Sequence, residues 1–304
     1  MTRTSALSAM VSAMALAAWL VVPAWAQELE RTVPTRAFDR FEFESETSVG
    51  FWAEAGALYE RQQELDHTSE SLRLHSTTAF ARFAYGGEKW EAGAFVPYLD
   101  VEGNPNVSEN GVGDILLAGK YIPIRSDILD LGGGAAVSLP SGDQTRGRGS
   151  GGAGLAVPSG GPNEGLGSGE FGGAPFITGA LHMGVADVRA HLGSEFFTGS
   201  SHNGAASDRL VYGFGIFLPF GKYVAWRNEF SGVDAYDLKN HPTLVNYLPG
   251  LDFRLPIGNL DALLRITGAV GVSAAAPSWG AGGSLVITSP TLRAPMAKGG
   301  VVVE

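Results

Sequence analysis

The sequence contains no cysteine among its 304 residues. This absence excludes disulfide scaffolds, cysteine zinc sites and thiol catalysis. Charged residues are also scarce, at 17%, and 31 acidic residues outnumber 21 Lys and Arg. Nucleic-acid binders usually present clustered Lys and Arg, so we expect no nucleic-acid partner. Helical stripes are hard to find after Ala26, and a total of 43 glycines argues against a helical bundle.

Long hydrophobic runs are missing except at the N-terminus. Arg3 precedes an apolar run from Ala6 to Val22, which is followed by the small-x-small triplet Ala24-Trp25-Ala26. This arrangement predicts a secretory signal peptide over residues 1–26. The alternative is an uncleaved inner-membrane anchor, but the run is shorter than the roughly 20 residues that a span needs. We therefore expect an exported chain, either a soluble periplasmic or secreted protein or an outer-membrane barrel.

The remaining chain alternates apolar and polar or small residues with a period of two, which is typical of strands. In residues 90–98, for example, Trp90, Val96 and Tyr98 fall on one face and Glu91 on the other. The alternation predicts twelve strands, near 49–60, 71–85, 88–100, 113–124, 130–140, 171–183, 185–197, 209–219, 222–232, 243–255, 260–272 and 278–288. Most of these are long enough to cross a bilayer at a tilt, which takes about 9–11 residues.

The predicted connections alternate between long and short along the chain. Long ones, such as 101–112 and 141–170, are followed by short ones, such as 125–127 and 184. Transmembrane barrels combine short periplasmic turns, long extracellular loops and an even strand number. We therefore predict an all-β fold, an antiparallel transmembrane β-barrel of about 12 strands over 49–288, with an N-terminal periplasmic segment at 27–48 and a C-terminal tail at 289–304. A soluble sandwich or closed barrel is the alternative, although Ala and Gly would fill its core poorly.

In a transmembrane barrel the polar face of each strand lines the lumen, because charges facing lipid are costly. Residues of both charge signs are expected on this face, so a cross-linked polar interior is plausible. The predicted lumen-lining residues, which would form any solute path, are Glu54, Arg73, His75, Glu91, Asp114, Lys120, Arg189, His191, Glu195, Arg227, Glu229, Asp252 and Arg254. Glu60 and Arg82 lie near predicted strand ends and are not assigned to a face.

One pair of neighbouring motifs resembles a known family. Residues 111–121 open a strand with Gly113-Asp114 and end with Lys120-Tyr121, and the following strand, over 132–143, ends in Leu139-Pro-Ser-Gly-Asp143. This pattern resembles the outer-membrane β-barrel family labelled as putative meta-pathway of phenol degradation proteins. The resemblance implies a small transporter-like barrel for hydrophobic or aromatic compounds. The expected role of Asp114 is an ion pair with Lys120 or Arg189 in the lumen rather than direct contact with substrate.

Other candidate sites lack the pattern that their chemistry needs. The 141–170 loop holds 11 glycines but no Lys-Ser/Thr pair that would make it a phosphate loop. Ser200-Ser201-His202-Asn203 fits loop polarity better than a catalytic triad, which needs a positioned base and a third orienting group. The six histidines show no ligand spacing. We expect no metal, no cofactor and no enzymatic activity.

These features together predict a monomeric outer-membrane channel that passes a small hydrophobic or aromatic solute and is gated by the 141–170 loop. The expected partners are outer-membrane lipid, this solute and the barrel-assembly machinery. Two alternatives stay open at this point. One is a structural or adhesive barrel with a plugged lumen, and the other is a lipid-modifying barrel enzyme that uses His202.

Overall fold

The computed structural model contains one antiparallel sheet of thirteen strands. It describes residues 45, 47–64, 72–104, 107–142, 171–184, 186–198, 208–235, 243–257, 260–273, 276 and 278–288. The strands are β1 (Gly50–Glu64), β2 (Leu72–Gly86), β3 (Trp90–Asn104), β4 (Val107–Val112), β5 (Ile115–Arg125), β6 (Leu129–Leu139), β7 (Gly172–His182), β8 (Asp187–Phe197), β9 (Arg209–Phe220), β10 (Val224–Ala235), β11 (Leu244–Ile257), β12 (Leu260–Gly271) and β13 (Trp279–Thr288).

Twelve of these strands form a closed barrel. Each strand pairs with its sequence neighbours except around β4, and β1 pairs with both β2 and β13, which closes the ring. β3 pairs with β5 through Trp90–Phe95 and with β4 through Tyr98–Gly103, so β4 only extends one rim. The predicted twelve-stranded antiparallel barrel is confirmed. β4 was not predicted, because 101–112 has the composition of a loop.

The alternation of connections is also as predicted. Three residues or fewer separate β2 from β3, β5 from β6, β9 from β10 and β11 from β12, whereas 32 residues separate β6 from β7. Gly184 and Gly221 lie in short turns with φ of 77° and 71°, a conformation that favours glycine. These four turns and the β7–β8 turn share one end of the barrel, here called the short-turn end. The other connections, including the two-residue ones on either side of β4, lie at the long-loop end. In outer-membrane barrels the long loops face the cell exterior.

The two faces of the barrel wall differ in polarity. Outward positions carry exposed apolar side chains, including Tyr85 at 63% exposed, Ile177 at 61% and Ile266 at 51%. Inward positions carry buried charged side chains such as Glu54 and Arg227. This distribution is opposite to that of a soluble barrel, and it is the one that a lipid-embedded barrel requires.

Outward-facing charges occur only near one rim in the part of the wall that the structure describes. They are Arg61, Asp100, Glu102 and Asp234, and each lies toward the long-loop end of its strand. The middle of the outer face therefore forms an uncharged band. No helix in the described ranges is both long enough and apolar enough to span a membrane.

The residues just before β1 enter the short-turn end of the barrel. Ser45, Thr47 and Ser48 are buried, the Ser48 amide donates to Glu91 Oε2 at 2.6 Å, and the Thr47 hydroxyl donates to the Glu88 carbonyl at 3.0 Å. The end of the predicted periplasmic segment at 27–48 is thus inside the barrel mouth. The predicted signal peptide and the predicted tail at 289–304 lie outside the described residues.

Candidate functional site

A ladder of buried ion pairs crosses half of the barrel interior. Its first part is centred on Glu54, on β1. Arg82 on β2 donates to Glu54 Oε2 at 3.3 Å, Arg265 on β12 donates to Oε1 at 3.1 Å, and the Ser284 hydroxyl on β13 donates to the same oxygen. Glu54 and Arg82 face each other directly in the register of β1 and β2. One carboxylate therefore joins four neighbouring strands.

The ladder continues across β11 and β10. Arg265 Nε lies 3.3 Å from Asp252 Oδ1, and Arg227 Nε donates to the same oxygen at 2.8 Å. Arg227 also pairs with Glu229 through Nη1 and reaches the Thr267 hydroxyl at 3.4 Å. A Cβ atom on Gly250 would lie 2.4 Å from Arg227 Nη2, so only glycine at this position leaves room for the guanidinium.

The ladder is electrically balanced and closed to water. It contains three arginines and three carboxylates, and each of these side chains is at most 5% exposed. A buried charge without a partner is very costly, so pairing is the condition for placing these groups inside the wall. The ladder can therefore hold the barrel interior rigid without giving it a net charge.

A second set of pairs lies on the opposite half of the interior, toward the short-turn end. Lys120 pairs with Glu91 at 3.1 Å between β5 and β3. Farther along, His182 lies between two carboxylates, with Nε2 3.3 Å from Asp130 and Nδ1 2.8 Å from Asp187. Arg125 and Arg189 extend this row at its two ends, 3.4 Å from Asp130 and 3.3 Å from Asp187 respectively. Residues of β5 to β8 are thereby connected to one another.

Strand β9 contributes glycines where its neighbours contribute polar side chains. Gly213 faces His191 on β8 and Gly215 faces Arg189 in the sheet register. A Cβ on Gly213 would lie 2.3 Å from the His191 ring, so the imidazole lies across this glycine. The Arg189 guanidinium stacks on the Phe217 ring at 4.3 Å. The result is a shallow cleft between the two sets of ion pairs, lined by Arg189, His191, Gly213, Gly215 and Phe217 among others.

Apolar side chains flank the ladder on the inner face. Along β1, Trp52 and Leu58 lie on either side of Glu54, and along β12 Leu263 and Ala269 lie on either side of Arg265. These residues belong to one contiguous buried cluster formed by inward positions of β1–β3, β5–β7 and β9–β13, which comprises Trp52, Leu58, Phe80, Ala84, Phe95, Leu116, Ala136, Ala174, Phe176, Val211, Ala225, Leu248, Leu263, Ala269 and Val286. The interior thus combines an apolar lining with a paired polar girdle.

Most of the predicted lumen residues occupy inward positions in the structure. The buried ones are Glu54, Glu91, Asp114, Lys120, Arg189, Glu195, Arg227, Glu229 and Asp252. His191 and Arg254 are half-buried, and Arg254 pairs with Asp261 at 2.6 Å. Arg73 lies in β2, and its side chain is outside the described part of the structure.

His75 is the exception, and its predicted place in the lumen is wrong. Its Nδ1 lies 2.7 Å from the Tyr59 hydroxyl, and the two rings stack 6.0 Å apart. Tyr59 also contacts Trp279, which is 46% exposed on the outer face. His75 therefore lies on the outside of the barrel near the long-loop end. Polar groups are tolerated at this level because the headgroup region of a bilayer is not apolar.

Asp114 lies at the long-loop rim, just before β5, apart from its two predicted ion-pair partners, Lys120 and Arg189. Lys120 pairs with Glu91 instead, and Asp114 Oδ1 accepts a hydrogen bond from the Gly142 amide at 3.0 Å. Ser141 completes this contact, because its hydroxyl donates to the Gly113 carbonyl at 2.8 Å and accepts from the Ile115 amide at 2.9 Å. The two motifs that carried the family resemblance thus bind each other. They fix the rim of β5 and β6.

Two central members of the ladder were not predicted. The sequence pattern does not assign Arg82 to a face, because it lies near a predicted strand end, and it does not single out Arg265. Both are 0% exposed. The alternation of β12 places Arg265 on the polar face with Thr267, which is the signal that would have found it.

Several sequence predictions fall outside the described residues. These are the Gly-rich segment 143–170 and the Ser200-Ser201-His202-Asn203 cluster. Within the described ranges, the structure holds no group of three or more His, Asp or Glu side chains arranged to bind a metal ion.

Comparison with known proteins rests on the fold. No family model matches the chain, and no curated protein matches its sequence. Among solved structures, an outer-membrane channel from Pseudomonas putida F1 matches with a TM-score of 0.60 and 12% identity, over 83% of this chain and 100% of that chain. The fold is that of an outer-membrane β-barrel.

Two other barrels match with less similarity. The translocator domain of the autotransporter NalP from Neisseria meningitidis has a TM-score of 0.47 and 12% identity, over 80% of this chain and 89% of that domain. The toluene transporter TodX from P. putida has a TM-score of 0.38 and 11% identity, over 85% of this chain and 95% of that protein.

Proposed function

We propose that this chain is a narrow outer-membrane channel for small hydrophobic or aromatic solutes. The observation that supports this function best is the contiguous apolar cluster on the inner face of the barrel wall. A passage for ions or sugars needs polar groups along its length, whereas here aromatic and aliphatic side chains lie on both sides of the charged ladder. An apolar solute that enters between these side chains leaves water, which is favourable for apolar surface.

The ladder supplies the narrow part of this channel. The charges of the ladder are paired with one another. An ion that passes this level would lose its hydration shell, and no unpaired charge of the ladder would compensate for that loss. The predicted lumen residues on the ladder, such as Arg227 and Asp252, would thus restrict passage rather than bind the solute. The cleft beside Gly213 and Gly215 lies between the two sets of ion pairs. We also propose that the 141–170 loop gates this channel.

The direct test is uptake of a radiolabelled aromatic hydrocarbon by cells that express the full chain, compared with cells that lack it. We expect faster uptake of the hydrocarbon and no change for a disaccharide. The variant Leu58→Asn places an amide in the apolar cluster and should slow hydrocarbon uptake. Ala57→Ser, at the adjacent outward position, is the matched control and should leave uptake unchanged.

A plugged structural barrel is the second candidate, and the burial of the interior favours it. Five inward-facing side chains at this level are each 0% exposed, so the lumen is closed here in the conformation described: Leu58, Arg82, Arg227, Arg265 and Asp252. This candidate predicts equal hydrocarbon uptake with and without the chain and no conductance in planar bilayers. Uptake that depends on expression and is slowed by Leu58→Asn would exclude it.

A further inference from the structure

The outer face of the barrel carries one cationic and aromatic patch, formed by Tyr59, Arg61, His75 and Trp279. Arg61 on β1 lies directly between His75 on β2 and Trp279 on β13 in the sheet register. Tyr59 contacts both aromatic neighbours, with ring centroids 6.0 Å from His75 and 5.6 Å from Trp279. The four residues therefore form one continuous surface across three strands.

The patch lies at the border between the uncharged band and the long-loop end. Below it along β1, the outward residues are Ala57, Ala55 and Ala53, which are small and apolar. Tyr and Trp are the residues enriched at the membrane–water interface, because their rings are apolar and their edges are polar. The level of the patch is thus the level of lipid headgroups in the leaflet on the long-loop side.

The polar atoms of the patch suit a phosphate group. A guanidinium offers paired N–H donors that match phosphate geometry. In the tautomer in which the Tyr59 hydroxyl donates to His75 Nδ1, the ring carries its proton on Nε2 and can donate there as well. Tyr59 holds this orientation through a 2.7 Å contact and a stacked ring.

Two carboxylates border the patch on the next strand. Asp100 and Glu102 are exposed at outward positions of β3, and Glu102 faces His75 in the register. Carboxylates repel phosphate unless a divalent cation bridges them. The cationic side of the patch, toward β13, is therefore where a phosphate would be held directly.

We propose that this patch docks the phosphorylated headgroup of the glycolipid in the outer leaflet. Arg61 binds the phosphate, His75 donates a second hydrogen bond, and Trp279 packs against the upper part of the acyl region. The site would anchor the barrel at a fixed depth and orientation in the membrane. This proposal depends on the placement of the barrel in the outer membrane and is independent of transport.

The test compares two lipids that differ only in phosphate. The full-length barrel in detergent with EDTA is titrated with bisphosphorylated lipid A and with dephosphorylated lipid A of the same acyl composition, and bound lipid is counted by native mass spectrometry. We expect the phosphorylated lipid to bind roughly tenfold tighter, the effect of one charge-assisted hydrogen-bonded contact. The double variant Arg61→Gln/His75→Gln should lose this preference.

Matched variants make the outcome specific. Lys222→Gln removes an exposed cation from a short turn at the other end and should keep the preference. Arg61→Lys keeps the charge without the paired donors and should keep part of it. Equal binding of the two lipids by the unmodified chain would overturn the proposal. So would a preference that survives in the double variant, or one that inorganic phosphate abolishes at equimolar concentration.

Discussion

Replacing Glu54 by Gln tests whether the ladder of ion pairs stabilises the barrel. Glu54 accepts hydrogen bonds from Arg82, Arg265 and Ser284, and its side chain is 0% exposed. The substitution keeps the shape and one acceptor oxygen but removes the negative charge. The guanidinium groups of Arg82 and Arg265 then lose a shared negative partner. The ladder changes from three arginines with three carboxylates to three arginines with two carboxylates.

The expected loss of stability follows from the burial of the pair. Removing one partner of a buried ion pair costs about 3–5 kcal/mol, because the remaining charge is left uncompensated. Gln still accepts a hydrogen bond at this position, so we expect a value near the lower limit, about 3 kcal/mol. The free energy of unfolding is measured by urea titration in lipid vesicles, with tryptophan fluorescence and the heat-dependent gel shift as two independent probes.

An outward acidic residue provides the control. Asp100→Asn removes the same charge from an exposed position and should change stability by no more than about 0.5 kcal/mol. If Glu54→Gln also costs less than about 1 kcal/mol, the ladder does not stabilise the barrel and the reasoning fails. A conducting barrel would in addition become more selective for anions, because the variant ladder carries one net positive charge.

Three further substitutions test other parts of the structure. Gly250→Ala would bring a Cβ to 2.4 Å from Arg227 and should cost about 1–3 kcal/mol in the same urea assay, whereas Gly119→Ala, with open space around it, should be neutral. Ser141→Ala removes hydrogen bonds at the rim of β5 and β6, and we expect a loss of about 1–2 kcal/mol together with faster proteolysis near this rim. Ile266→Arg, in the middle of the uncharged band, should cost about 2–4 kcal/mol in lipid vesicles; a cost near zero would contradict the lipid-facing assignment.

The sequence predicted the strands and most of their faces because the period-two pattern is local. The twelve predicted strands agree with the structure to within a few residues, and the inward positions of Glu91, Lys120 and Asp252 follow from alternation alone. The polarity of a residue does not predict whether it faces inward or outward near the rims of the barrel. His75 lies near the long-loop rim, where both faces tolerate polar groups, so its polarity did not reveal its side of the wall.

The ion-pair partner of a residue is harder to predict than the face on which its side chain lies, because the partner depends on the register between strands. Asp114, just before β5, is six residues from Lys120, yet Lys120 pairs with Glu91, which lies directly opposite it on β3. The pairing of Arg265 with Glu54 joins residues 211 positions apart. No local pattern contains that information, because it arises only when the first and last strands meet.

The position of Glu54 at this seam has a consequence for the order of folding. Its bonds to Arg265 and Ser284 span 211 and 230 residues, so they form only when β1 reaches the strands at the other end of the chain. Contacts of such long range are slow to form, because the entropy of closing the loop is lost before they contribute. Until then the Glu54 carboxylate lacks its cross-seam partners. Arg82 on β2 already pairs with Glu54 in the β1–β2 hairpin, so ring closure is the step that adds Arg265 and Ser284 and completes the donors around this carboxylate. A chain with mispaired end strands would leave Glu54 with its hairpin partner alone among these three donors.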